Sequence, residues 1–441
     1  MRNFTFKGLF LTAVFMLLGC LTIQAADDDL ITKQITINLD KAGTLPNKIG
    51  SSEMYKITNL KITGEINGTD WKMIREMAGS NYNGYSTEGK LSTLDLSEAK
   101  IVKGGDSYYS GDNCYTSNDV IGRFAFYECS GLTSLTLPAG ITSIDSYAFY
   151  GCRRLTSLNL PDGITSIGSC AFTACHELTS LTLPDGITYI GGEAFYGCSG
   201  LTSLNLPAGI TSIGYGAFEG CSGLTSLTLP DGITSIYDNT FSGCSGLASL
   251  TLPVGITSIY SRAFKDCSGL TSLTLPAGIT YIGGEAFYGC SGLTSINLPL
   301  SISYIYGGAF QGCSGLTSIN LPASITEIGE DAFKDCSGLT SIYVYAEKVP
   351  GIGSDAFKGC DAKKCTVYVP KGTYDDYCLS EFRYFENIVE FEATGIDKTT
   401  TSTDAKEVSR YSVNGQRLVS PTKGLNIVKY SDGSVKKVVV E

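Results

Sequence analysis

Sixteen cysteines and a single histidine carry the chemistry that this 441-residue chain offers most openly. Cysteine stands at 129, 152, 175, 198, 221, 244, 267, 290, 313 and 336, always 23 residues apart, and then at 360. Thiols in such a series could bind metal, pair as disulfides or fill a core. A zinc centre needs ligands converging on one point, whereas one cysteine per 23-residue unit makes a single file. If the units stack at the strand spacing of about 4.7–4.9 Å, neighbouring Cα atoms fall within disulfide reach. Parallel stacking nevertheless holds the Cβ atoms beyond the favoured ~3.8 Å. The series therefore reads as a buried column of small thiols filling a turn. Cys360, Cys365 and Cys378 lie near the end of the series, where one disulfide is best accommodated; Cys170 replaces a variable residue.

Nucleophilic catalysis needs a base that is itself held by a third group. His176 replaces the serine of a recurring Cys-Ser-Gly turn and reads as a solvated side chain. The carboxylates Asp162, Asp185, Asp231, Glu193 and Glu285 recur with the repeat instead of pairing as acid and base, and they read as solubilising turn residues. Gly191-Gly192 and Gly283-Gly284 are turns of the same repeat, not a phosphate cradle. No catalytic residue, metal set or cofactor is expected. A net charge of −11 with 17% charged residues would repel a nucleic-acid backbone.

The elements that hold these residues are written in the repeat. Leu178–Gly200 and Leu270–Gly292 differ only at Asp185 against Ala277, and they lie 270 − 178 = 92 residues apart, four times 23. Phenylalanine recurs at 126, 149, 172, 195, 218, 241, 264, 287, 310 and 333, then at 357, and proline keeps the same interval from 138 to 322. The frame is LTSLxLPxGITSIxxxAFxGCSG. Leu132, Leu135 and Leu137 form a short strand with one buried face. Pro138 ends it, and Gly140 permits the turn. Ile141 and Ile144 give a second inward pair, Ala148-Phe149 supply bulk, and Gly151-Cys152 return the chain to the next coil. The six or so apolar side chains of one unit do not offset the entropy of ordering it. Stacking does, so the array is the folding unit: a solenoid.

This frame resembles the BspA-like, Treponema-type leucine-rich repeat of bacterial surface proteins. The resemblance implies a β-rich, curved, right-handed solenoid with a parallel sheet on its concave face. Ile57–Ile62 and Leu91–Leu96 resemble degenerate repeats of the family's N-terminal region. Cys365–Pro370, followed by Tyr374, Tyr377, Phe382 and Ile388-Val389, is similar to its closing strand and helix. Capping is also required physically, because a bare last coil exposes an apolar cross-section and a strand edge. The expected organisation is a signal peptide over 1–25, an N-terminal capping region over 27–119, the solenoid with its C-terminal cap over 120–392, a linker over 393–407 and a small C-terminal β-module over 408–441. Arg2 and Lys7 precede an apolar run too short to span a membrane. That leader ends either at the small residue Ala25 or at Cys20, where Leu17-Leu18-Gly19-Cys20 resembles a lipobox; lipidation there would be the only membrane contact. In the last module Asn414-Gly415 marks a hairpin. With Lys423-Gly424-Leu425 it resembles sorting modules of Bacteroidetes secreted proteins, although a plain accessory β-module fits as well.

Function is then expected on the outward positions. Asn159, Asn205, Asn297, Asn320 and Tyr343, with threonines between them, should form a polar stripe along the sheet, while Tyr189, Tyr281 and Tyr304 interrupt the Thr-Ser pairs of the second segment and further tyrosines follow at 237, 260 and 306. Aromatic side chains with polar tips anchor recognition surfaces, although they can also simply cover the edge. An extended, repetitive surface suits a long partner, because avidity accumulates along it. The resemblance implies an exported, secreted or outer-surface protein that adheres to host matrix proteins or to other cells. A glycan-binding protein is the alternative, against which the single tryptophan, Trp71, offers little stacking platform.

Overall fold

A computed structural model describes residues 29–111, 114–392, 407–412, 417–418, 420, 424–430 and 435–440. The candidate signal peptide, Cys20 and the Asn414-Gly415 turn lie outside the described residues. The chain divides into two compact units, one ending at Val389 and one beginning at Glu390.

The first unit is a stack of coils, each built from three short segments. Strands such as Ser134–Thr136, Ser157–Asn159 and Ser180–Thr182 pair in parallel with equivalent residues opposed, as Leu158 is to Leu181. The leucines face inward because alternate strand residues point to opposite sides. Pro138 does end the strand, and its carbonyl accepts the Ile141 N–H at 3.3 Å, closing a four-residue turn repeated in later coils. The Ile-x-x-Ile segment forms strands of its own, Ser143–Ile144, Ser166–Ile167 and Tyr189–Ile190, in a second parallel ladder.

The third side is non-strand, yet it is bonded just as regularly. Phe149 N–H donates to Ala171 O at 2.7 Å and Gly151 N–H to Thr173 O at 2.8 Å, each in the following coil. The third side thereby ties the backbone of each coil to the next. The residue two before phenylalanine has positive φ in coil after coil, whatever its type: Phe124 (60°), Tyr147 (62°), Cys170 (56°), Glu193 (55°), Arg262 (58°) and Glu285 (55°). Inter-coil bonds such as Tyr147 N–H to Ser169 O and Cys170 N–H to Gly192 O, both 2.9 Å, hold that left-handed conformation in place. The Cys-Ser-Gly return needs its glycine for space: a Cβ on Gly223 would lie 2.3 Å from Ser199 O of the preceding coil.

Inside, the phenylalanines from 126 to 357 stack in one column, with ring centroids 5.0–5.6 Å apart and planes within 10°. The degenerate repeats join the same register, with Ile35 opposite Leu60, Leu60 opposite Leu94, and Leu94 opposite Leu135.

Both ends are closed by elements that break the pattern. A helix, Gly68–Met77, covers the N-terminal coils behind a capping box at Asn67. Buried Asp70 accepts backbone N–H bonds from Gly43 (2.6 Å), Leu45 (2.8 Å) and Asn67 (2.9 Å). Trp71 Nε1–H donates to Ala125 O at 2.8 Å, and Arg75 reaches the carbonyls of Phe124, Ala125 and Asn81 and the Ser80 hydroxyl. At the other end Thr366–Pro370 adds a strand, and Tyr374–Cys378 adds a helical turn. Phe382 and Phe385 then lie 5.5 and 5.3 Å from Phe357, sealing the aromatic column.

The second unit is a four-stranded antiparallel sheet of Glu407–Ser412, Arg417–Leu418, Gly424–Tyr430 and Val435–Val440.

Candidate binding surface

The described cysteines from Cys129 to Cys378 are free thiols. The column does more than fill space. From Cys152 onward each thiol of the column donates to a phenylalanine carbonyl one coil back: Cys152 to Phe126 O (3.2 Å), Cys244 to Phe218 O (3.1 Å) and Cys336 to Phe310 O (3.1 Å). Desolvation pushes the thiols of Cys152 and Cys336 up, and those of Cys129, Cys244 and Cys290 to about 12, so thiolate is scarce at these positions at neutral pH. The expected cap disulfide is not formed. Cys360 has joined the column, donating to Phe333 O at 3.3 Å, while Cys365 and Cys378 are also free.

His176 is exposed, and its Nδ1 lies 2.9 Å from Gly197 O, an inter-coil tie with no base or nucleophile attached. Among the described residues no three His, Cys, Asp or Glu side chains group as a metal site, and no helix is long and apolar enough to cross a membrane.

The strand positions form the polar stripe. Asn159 lies opposite Thr182, Asn297 opposite Asn320, and Asn320 opposite Tyr343. All four asparagines are exposed; Asn205 sits on a coil whose first segment carries no strand pairing. Tyr343 is half-buried, stacked on Tyr368 at 4.5 Å and 8°. Toward the N-terminus the stripe continues through Asp95 to Lys61, which pairs with Asp95 at 3.5 Å and Glu98 at 2.6 Å. Two shallow notches, of about 450 and 430 Å³, open on it three coils apart. Ser134, Thr136 and Ala139 face Ser157, Asn159 and Asp162 across the first. The second repeats this with Ala208 and Asp231. Strand leucines floor both.

The tyrosines separate into two groups. Tyr281 and Tyr304 belong to a continuous row in which Tyr237 stacks on Tyr260 (5.6 Å), Tyr260 meets Tyr281 (5.5 Å), Tyr281 meets Tyr306 (5.0 Å), and Tyr306 meets Tyr304 (4.3 Å). The Tyr304 hydroxyl donates to Glu327 Oε1 at 3.3 Å. Desolvation pushes the phenols of Tyr281 and Tyr304 up, keeping them neutral. Tyr189 stands apart, exposed between Ser166 and Ser212 on its neighbouring strands. Trp71 is buried beneath the N-terminal cap and offers no platform.

An aromatic patch that sequence reasoning missed gathers Tyr109, Phe124 and Tyr147, stacked at 4.5 and 5.0 Å, with Tyr127 on Tyr150 at 5.0 Å and Arg123 over Phe124 at 4.9 Å. Phe124 and Tyr147 occupy the positive-φ position, whose variable residue type hides it in the frame.

The two near-identical copies also differ in electrostatics. Glu285 is bound by Arg262 through paired 3.0 Å contacts and by Lys265 at 3.2 Å, which hold its carboxyl below the usual range. Glu193, its counterpart, lies beside Cys170 and Glu219, and desolvation with Glu193's charge pushes Glu219 up.

Among solved structures, a leucine-rich repeat protein of Bacteroides ovatus is 27% identical over 64% of this chain and 90% of its own (TM-score 0.35). A leucine-rich cell-surface protein of Faecalibacterium prausnitzii is 27% identical over 59% and 84% (TM-score 0.40). The T. pallidum leucine-rich repeat protein is 26% identical over 45% and 82% (TM-score 0.34). No curated protein matches the chain. The family model described as BspA type leucine-rich repeat region (6 copies) matches residues 119–248 and 235–364, more than half of the sequence. The family is a non-catalytic scaffold of generally surface-associated binding proteins, and this chain belongs to the BspA-type leucine-rich repeat proteins.

Proposed function

We propose that the protein is exported and works at the cell surface, or after secretion, as an adhesin-like module that engages extracellular protein, either host matrix or the surface of another cell. Residues 1–25 serve as the export signal, with Cys20 as the lipid-bearing alternative, and 408–441 act as a separate accessory or sorting module. The observation that carries this reading is the tyrosine row. Five neighbouring phenols on consecutive coils give a rigid, amphipathic contact strip at little entropic cost. Glycan binding is the weaker reading, because stacking on sugars needs free ring faces. Tyr237 and Tyr260 each spend one face on the other, their planes 18° apart, and Trp71 is buried.

The test is to probe matrix-protein and glycan arrays with the mature chain, then repeat with Tyr237, Tyr260 and Tyr306 all changed to serine. The proposal expects a protein hit whose signal falls at least about tenfold in the triple variant, consistent with loss of hot-spot side chains. A Tyr189→Ser variant is the comparison outside the row. A glycan hit that survives the triple change would overturn it.

A further inference from the structure

The charge along the coils is sorted by side. Between Leu132 and Ile328 the four basic residues are Arg153, Arg154, Arg262 and Lys265, and all of them fall in the non-strand part of the repeat. The two strand segments and the turn between them carry only acids: Asp162, Asp185, Asp231 and Glu327. Two of these, Asp162 and Asp231, stand on the rims of the two notches.

Each notch arises in the same way. A coil with alanine in its Pro-x-Gly turn (Ala139, Ala208) is followed by one with aspartate there (Asp162, Asp231), so a small residue leaves the gap and a carboxylate overlooks it. The floor is leucine and the near walls are hydroxyl and amide groups. A leucine floor beside an exposed carboxylate suits the aliphatic stem and cationic head of lysine or arginine.

We propose, building on the surface-binding reading above, that the strand face docks an extended cationic polypeptide segment along the stacking axis, with basic side chains at positions i and i+4 in the two notches. The spacing sets the register. Asp162 and Asp231 are 69 residues apart, which is three coils. Three coils at about 4.8 Å span about 14 Å, and four residues of extended chain at about 3.4 Å span the same distance. Residues i and i+4 also share one face of an extended strand, whereas i and i+3 point to opposite faces. Asp185, one coil beyond Asp162, adds negative potential at the first notch.

The experiment is fluorescence anisotropy with the full mature chain and three labelled extended peptides, carrying lysines at i and i+4, lysines at i and i+3, or glutamates at i and i+4. Each is measured at low and physiological salt. The variants are Asp162→Asn, Asp231→Asn, both together, and Asp266→Asn as an exposed acid on the other side of the coil. Asparagine keeps the shape of these exposed turn residues, so folding is preserved. The i/i+4 lysine peptide should bind about fivefold more tightly than the i/i+3 peptide and weaken with salt. Each notch substitution should cost about fivefold and the pair about twenty-five-fold, with Asp266→Asn unchanged. Equal affinity for the two lysine spacings, or a double variant that binds like the parent, overturns the inference. Where those results overturn the inference and the parent chain still binds matrix protein on the arrays, the notch assignment fails alone and the surface-binding reading stands. If the arrays also stay blank, both fail.

Discussion

Replacing Phe241 by alanine removes one ring from the middle of the aromatic column. The side chain is fully buried and stacks on Phe218 at 5.6 Å and on Phe264 at 5.5 Å, so the substitution strikes two inter-coil interfaces at once. Burial and cavity together put the loss at about 3–5 kcal/mol, toward the upper end because both ring contacts go. In a solenoid that cost is local, since each coil touches only its neighbours. Hydrogen exchange read by mass spectrometry should therefore show amides around Phe218, Phe241 and Phe264 losing protection by about 150-fold to 4,000-fold. Amides around Phe149 and Phe333 should change little. A loss below about 1 kcal/mol, or an equal rise in exchange along the whole array, would refute nearest-neighbour stacking as the source of stability.

Three further outcomes follow from particular residues. Ala174 has φ 59° at the position where Gly197 and Gly220 have 71° and 72°. Ala174→Gly should stabilise by about 0.5–1 kcal/mol and Gly220→Ala destabilise by about 1 kcal/mol in urea melts; shifts of one sign would contradict the strain argument. Iodoacetamide should leave Cys129, Cys244 and Cys290 unmodified in the native protein and label them all after unfolding without reductant, whereas blocked thiols in the unfolded chain would mean disulfides. For Glu285 the folded value is lowered, so its contribution exists above the ordinary carboxyl range and disappears as pH falls. Glu219 is raised, so its contribution exists in acid and is lost as pH rises. Near neutral pH Glu285→Gln should lower the melting temperature and Glu219→Gln raise it, both differences fading in acid; effects of equal sign would sink the assignment.

What could be read in advance was whatever the repeat writes in residue type. Leu135, Ile144, Phe149 and Cys152 recur as themselves, so strand, second inward pair, filler and thiol column were all visible in spacing alone. The second parallel ladder was not, because segments such as Ser143–Ile144 are two residues long and pair only with neighbouring coils. The left-handed position was hidden for the opposite reason: phenylalanine, tyrosine, cysteine, glutamate and arginine all occupy it, held there by backbone bonds that no side chain announces. Spacing marks cysteine only as a filler of the turn, whereas its thiol also caps a phenylalanine carbonyl. The cap helix Gly68–Met77 occurs once, outside the repeat, so periodicity gave no sign of it. On the surface, the Thr-Ser frame marks Tyr281 and Tyr304 together with Tyr189, yet contact between tyrosines depends on which coil and which offset each occupies. Tyr237, Tyr260 and Tyr306 sit two residues further along their coils, and that offset lets the row close.

The near-identity of Leu178–Gly200 and Leu270–Gly292 permits a direct test of whether added coils serve as docking length. Deleting residues 178–269 removes four whole coils and joins Glu177 to Leu270, preserving the frame on both sides. The shortened chain should melt cooperatively, because every remaining coil keeps a neighbour. Its affinity for the matrix protein found on the array should fall by at least about tenfold, since avidity scales with contact length. A shortened chain that folds and binds as tightly as the parent would contradict the claim that the repeated surface is the functional one.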